Sequence, residues 1–189
     1  MTTSTRAQRV PIHELGTTWL KSQTHLKPSS RDAIDIAWRL FVDPMWGDRA
    51  SGDIKHSSVQ TWVSQLGTGG AKTARDTGPR SATVVIRAYG VLAASLDLAL
   101  RDHRISSNPA RGVSLPRKVK KPHVYLTHNQ VSLLVEHAGD KSTLVLTLAY
   151  TGLRWGEGVG LRVRDLNPLR HRLNVRENAG KMWARGQEI

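Results

Sequence analysis

The residues best placed to do chemistry lie in Thr151-Gly152-Leu153-Arg154-Trp155-Gly156-Glu157-Gly158-Val159-Gly160-Leu161-Arg162-Val163-Arg164-Asp165-Leu166. Arg154 carries a planar, permanently charged guanidinium, the side chain best suited to holding two anionic oxygens at once. Gly152 reads as the end of one helix and Gly156 to Leu161 as another short one, so the guanidinium between them can point out of a core. An Arg-x-x-Glu spacing taken alone is ordinarily a surface ion pair, here Arg154 with Glu157. Metal chemistry finds no support. The chain has no cysteine, and its eight histidines are scattered without a HExxH-type spacing, so no metal or other cofactor is expected.

A second kind of chemistry is carried by charge. Twenty-eight Lys and Arg face fifteen Asp and Glu, a formal +13 with a pI near 10.9, which points to a polyanionic partner. Residues 111–125 hold five cations and no acid, whereas residues 1–110 hold fourteen cations and nine acids. With Pro116 and Pro122 among Arg117, Lys118, Lys120 and Lys121, this segment is too proline-rich for a helix and too charged for a buried strand. It reads as an interdomain linker that lies along phosphates; a plain solvated charge run is the alternative.

The elements that must position these groups are mostly helices. Leu15 and Trp19 suggest a helix over about 12–22. Ser29, with Asp32 three residues later, opens another whose inward positions are Ala33, Ile36, Ala37, Leu40 and Phe41, with Pro44 and Gly47 closing it. Val59, Trp62, Val63 and Leu66 define a short helix ended at Gly67-Thr68-Gly69-Gly70. The stripe Val85, Tyr89, Leu92, Leu96 and Ala99 defines the longest one, from Ser81 to Arg101, and Asn108-Pro109 closes the block. Residues 11–110 thus read as a four-helix domain. Beyond the linker, Thr127 with Gln130 forms a capping box, with Leu126 and Val131 as a hydrophobic staple, for a helix reaching about Ala138. Leu144, Val145, Leu148 and Ala149 face inward on a helix from about Lys141 to Tyr150, and Arg172 to Arg176 alternates as a strand. The six tryptophans read as structural, with Trp155 packed beside the loop of Arg154. The longest apolar run, Leu144 to Tyr150, is far short of the ~20 residues that span a bilayer, and the N-terminus has no apolar signal region. The protein is expected to be cytosolic, without a membrane partner.

Six positions, Gly152, Arg154, Gly156, Glu157, Leu161 and Asp165, match the first active-site box of the tyrosine recombinases, the phage-integrase family. The segment resembles that box: Thr/Ser-Gly-x-Arg-x-Gly/Ser-Glu, then Leu and Asp at fixed spacing. The resemblance implies a mostly α chain: a four-helix, SAM-like core-binding domain at 11–110, a basic linker at 111–125, and at 126–189 the N-terminal, mainly helical part of an α+β catalytic domain. It implies double-stranded DNA as the partner and Arg154 as the group that stabilises a charged phosphorus centre. Glu157 and Asp165 then read as supports that orient Arg154 and close the turn, and Leu161 as core. By the same resemblance Ser29 and Arg31 from one helix, and Arg80, Thr83 and Arg87 around another, lie near DNA, joined by Arg117, Lys118, Lys120 and Lys121 of the linker.

The resemblance also implies a hairpin lysine, a His-x-x-Arg box, a further His or Trp, and a tyrosine nucleophile. Lys181 lies in the stretch where the hairpin lysine is expected. Tyr89, Tyr125 and Tyr150 all precede Arg154, and no His-x-x-Arg follows it; without a nucleophile no covalent intermediate forms. Three readings follow. The first is an integrase fragment or prophage remnant, stopping about a third of the way through a catalytic domain, that binds DNA and cannot cut it. The second is a free-standing DNA-binding module that regulates recombination by occupying the core site, by self-association, or by pairing with a full-length recombinase on DNA. The third is a basic protein that binds RNA or DNA without sequence preference.

Overall fold

The computed structural model describes residues 10–76, 78–120 and 122–179, and the chain divides into two compact units, one ending at Lys120 and one beginning at Lys121.

The first unit is a helical domain. Helix α1 spans Ile12–Ser22 as expected from Leu15 and Trp19, burying Ile12 and Leu15. Helix α2, Pro28–Ala37, begins one residue before Ser29: Pro28 supplies the fixed φ of a first turn, and Ser29 makes no capping bond. The chain does not stop at Pro44. It passes from α2 into a π-helical stretch, Trp38–Val42, and then into α3, Asp43–Trp46, with Pro44 in the first turn of α3. A proline inside a helix deprives the carbonyl four residues earlier of its donor. Here that carbonyl is Leu40's, and the Ala74 amide from a distant loop donates to it at 3.0 Å.

This continuous helix keeps Ala37 and Phe41 of its expected face inside and packs Leu40 against the core, but the buried face is shifted from the one its apolar spacing suggests. Ala37, Trp38, Phe41, Val42 and Trp46 go inside, whereas Ile36 is 46% exposed. Helix α4, His56–Thr68, buries the expected Val59, Trp62, Val63 and Leu66 and ends at Gly69, whose φ of 99° no other residue adopts easily. The Trp46 and Trp62 rings meet edge to face at 5.8 Å. Helix α5, Ala82–Arg101, runs through the middle of the unit. By length and composition it could cross a membrane, but eight of its residues are buried against the other helices, which accounts for its apolarity.

Residues 108–114 stay fastened to this unit. The buried Asn108 side chain donates to the Ala93 carbonyl (2.9 Å) and to Asp97 (2.7 Å), and accepts from the Ala110 amide (2.9 Å). Tyr89 donates to the Ala110 carbonyl at 2.7 Å, Arg111 pairs with Asp97, and Gln60 bonds both the amide and the carbonyl of Ser114. Val113 is buried in the same core. The start of the expected linker is therefore part of the helical unit's packing, and the exposed basic stretch begins after it.

In the second unit, α6 (His128–His137) opens with the Thr127/Gln130 capping box, both of its bonds being formed. Val131 is buried, but its staple partner Leu126 is exposed. Helix α7, Ser142–Thr151, ends at Gly152 in the left-handed conformation (φ 70°), as its position predicts. Leu144, Val145 and Leu148 are half-buried and Ala149 is exposed, so the inward face is narrower than expected. Helix α8, Trp155–Val159, follows. The strand signal at Arg172 is real but short. Strand β1, Leu166–Asn167, pairs antiparallel with β2, Arg172–Leu173, in the register Leu166 to Leu173 and Asn167 to Arg172.

Candidate phosphate-binding site

Arg154 stands as the N-cap of α8, in extended conformation after the left-handed Gly152. This turn joins α7 to α8 and places the side chain at the start of a helix. Glu157, three residues on, accepts the Arg154 backbone N–H with Oε2 at 2.9 Å and the guanidinium Nη1 with Oε1 at 3.2 Å. The carboxylate thus holds both ends of the arginine while the guanidinium remains 84% exposed. The Arg154 backbone N–H holds the Glu157 carboxyl below its ordinary value against an opposing desolvation, with lesser help from the guanidinium hydrogen bond and charge. The ion pair therefore commits one carboxylate to support and leaves other donors of the guanidinium free.

The same device repeats eight residues later. Asp165 accepts the Arg162 backbone N–H at 3.0 Å, and its other oxygen lies 3.3 Å from Arg176 Nε. Asp165 is 4% exposed, the one charged side chain buried among the described residues. Its contacts are with Arg162 and Arg176, so it closes the turn ahead of the hairpin, and no bond joins it to Arg154. Glu177 pairs with Arg162 at 2.9 Å and approaches Arg164 at 3.7 Å. The motif resemblance points to Asp165 as a turn-closing support but not to its partners Arg162 and Arg176 or to Glu177; the recurrence of Arg-x-x-Asp after Arg-x-x-Glu is the signal for the Arg162 pairing in the sequence.

The glycines of the motif have a steric role. A Cβ on Gly160 would lie 3.0 Å from the Glu177 carbonyl and 3.2 Å from the Ala179 amide, and the Ala179 amide donates to the Gly156 carbonyl at 2.8 Å. Residues 177–179 therefore lie directly against α8. Leu161 is half-buried, and Trp155, expected to pack beside the loop, is 63% exposed.

In the helical unit, Ser29, Thr83 and Arg87 are exposed and Arg31 is half-buried. Ser29 and Arg31 occupy the first turn of α2, while Thr83 and Arg87 lie on the first two turns of α5. Arg80 differs from the rest. Its guanidinium lies 5.5 Å over the Phe41 ring and pairs with Asp76, so it serves the fold of the 71–80 loop. Arg117, Lys118 and Lys120 are exposed and without an acidic partner among the described residues. Lys121 and Lys181 lie outside the described residues. No group of three or more His, Asp or Glu among the described residues could hold a metal ion.

Comparison with known proteins places this geometry. No family model matches the chain. A tyrosine recombinase XerC of Pelobacter propionicus is 28% identical over 86% of this chain and 54% of its own length. The integrase of Mycobacterium phage FRAT1 is 22% identical over 85% of this chain and 44% of its own length. The chain thus spans about half the length of the curated relatives it matches. Among solved structures, the Tn1549 transposon integrase in complex with circular intermediate DNA covers 84% of this chain and 51% of its own, with a TM-score of 0.63 at 19% identity. The same integrase with transposon right-end DNA superposes with a TM-score of 0.66 over 84% of this chain and 50% of its own. The Arg154 motif, the likeness in sequence and the shared fold together make this chain similar to the tyrosine recombinases, or phage integrases.

Proposed function

We propose that the chain binds duplex DNA as the core-binding and proximal catalytic part of a site-specific integrase. The observation that carries this reading is Arg154, whose guanidinium is steadied by Glu157 yet left open to an anion. The helical unit approaches the duplex with the N-terminal turns of α2 and α5, where Ser29, Arg31, Thr83 and Arg87 lie. The unpaired linker cations Arg117, Lys118 and Lys120 follow the phosphates. The Tn1549 integrase of similar fold was solved in complex with DNA, and the same partner suits a chain of net charge +13. In this reading 11–110 with the anchored residues up to Ser114 serve core binding, the rest of the expected 111–125 linker joins the two parts, and 126–189 bear the first active-site arginine.

Arg154 supplies donors to the non-bridging oxygens of a phosphate as charge develops there. Glu157 and Asp165 act by holding arginines in place and carry no proton in the reaction. Another chain, a second copy or a full-length relative, supplies the company on DNA. Exposed apolar side chains in the second unit, Leu133, Leu134, Leu146 and Tyr150, favour such pairing.

The test is duplex binding as a function of salt. Replacing Arg117, Lys118 and Lys120 together by Ala should lower the slope of log affinity against log salt by about 2.7, at ~0.9 for each phosphate no longer neutralised. An unchanged slope removes the linker from the interface. In addition, Arg87→Ala should weaken one sequence more than random duplex, since a groove-facing arginine reads guanine for ~1–3 kcal/mol.

A further inference from the structure

We infer that the β1–β2 hairpin and its flanks, residues 162–177, form a separate arginine prong that grips the phosphate backbone of duplex DNA. The inference rests on the DNA-binding reading above and adds a surface that neither the linker nor Arg154 provides.

The charge of the second unit is concentrated here. Residues 162–177 hold five arginines, Arg162, Arg164, Arg170, Arg172 and Arg176, against Asp165 and Glu177. The rest of the described second unit holds two cations, Lys141 and Arg154, against three acids, Glu136, Asp140 and Glu157. No lysine occurs in the segment. Arginine, with its flat fork of five donors and weaker hydration, is the cation that fits paired phosphate oxygens.

The two carboxylates orient the arginines without using them up. Asp165 pairs with Arg176 through Nε at 3.3 Å, with neither terminal nitrogen of Arg176 in an ion pair among the described residues, and Glu177 pairs with one nitrogen each of Arg162 and Arg164. All three side chains remain more than half exposed. An arginine already held by a carboxylate has less rotamer freedom to lose on meeting a phosphate.

The tip carries the free charge. Strands β1 and β2 pair over only two residues each, and Asn174 extends the ladder by donating to the Asp165 carbonyl at 2.9 Å. Between the strands, Asn167 Oδ1 accepts the Arg170 amide at 3.1 Å, and His171 turns the chain in the left-handed region with φ 49°. Arg170 and Arg172 flank this turn, exposed and with no acidic partner among the described residues. Leu169 beside them is 95% exposed, so the tip projects from its unit. A narrow projecting loop tipped with unpaired arginines fits a polyanionic rod better than an acidic protein surface, which would need apolar contact around its charges.

The experiment compares the full 189-residue chain with Arg170→Ala/Arg172→Ala and Arg170→Lys/Arg172→Lys, measuring affinity for a random-sequence duplex from about 50 to 200 mM salt by fluorescence anisotropy. The alanine pair should lower the salt slope by about 1.8, which is about a twelvefold smaller loss of affinity across that fourfold salt rise. The lysine pair should keep the slope, because charge is retained, while binding more weakly at every salt. Both sites are exposed and unpaired, so an unchanged far-UV circular dichroism spectrum is expected to accompany the loss. An unchanged slope in the alanine pair overturns the prong, and the Arg117/Lys118/Lys120 variant, run beside it, shows whether DNA binding itself survives. A wild-type chain that binds no duplex overturns both readings.

Discussion

Replacing Gly160 by Ala probes the packing that holds the hairpin against the helix following Arg154. The backbone at Gly160 has φ −84° and ψ −7°, open to any residue, so no conformational strain enters. What the new methyl meets decides the outcome: the Glu177 carbonyl at 3.0 Å, the Gly156 carbonyl at 3.1 Å and the Ala179 amide at 3.2 Å. All three are backbone atoms and cannot rotate away as a side chain would. Residues 177–179 must move off α8, stretching the 2.8 Å bond from the Ala179 amide to the Gly156 carbonyl. Overpacking of this kind costs about 1–3 kcal/mol, roughly a 5- to 150-fold rise in local opening. Gly90 is the control. It lies inside α5 with nothing within 4 Å of its would-be Cβ, so Gly90→Ala should stabilise the helical unit by ~0.5–1 kcal/mol. Amide hydrogen exchange separates the two effects by unit, with faster exchange over 155–179 in Gly160→Ala and slower exchange over α5 in Gly90→Ala. If Gly160→Ala leaves exchange over 155–179 unchanged, the close approach of residues 177–179 to α8 is wrong.

Glu157 sets a pH dependence. Its carboxyl is held below the ordinary value by the Arg154 amide, so its stabilisation is complete above the unfolded pKa and is lost as pH falls through the lowered folded value. Exchange of the Arg154 amide should therefore show extra opening on acidification in the wild type and not in Glu157→Gln. Asn108→Ala strands the buried Ala110 amide and frees the linker root, so the helical unit should lose ~1–3 kcal/mol in urea denaturation; a shift below about 0.5 kcal/mol would count against the anchor. Trp62→Ala empties the centre of the same unit and should cost ~3–5 kcal/mol by the same assay.

Local chemistry makes much of this protein legible in the sequence alone. Helices α1, α4 and α5 are readable because their inward residues recur at helical spacing. The Thr127/Gln130 capping box and the Gly152 terminus are readable because each is decided within a few residues. Arg154 with Glu157 is legible for the same reason, both partners lying on one turn. Tertiary structure decides what depends on partners far away in the chain. Pro44 is accommodated within a continuous helix because the Ala74 amide takes the carbonyl it leaves free, and neither residue reveals that alone. Ile36 faces outward and Trp38 inward because the face that α2 and the π-helical stretch after it bury is chosen by the helices they meet. Arg80 turns inward because Phe41 and Asp76 stand beside it. Residues 108–114 join the helical unit through Gln60, Tyr89 and Asp97, and Asp165 is drawn to Arg162 and Arg176 by the hairpin's return. Propensity and capping act over one or two turns, whereas burial and hydrogen-bond satisfaction are settled only when distant segments meet.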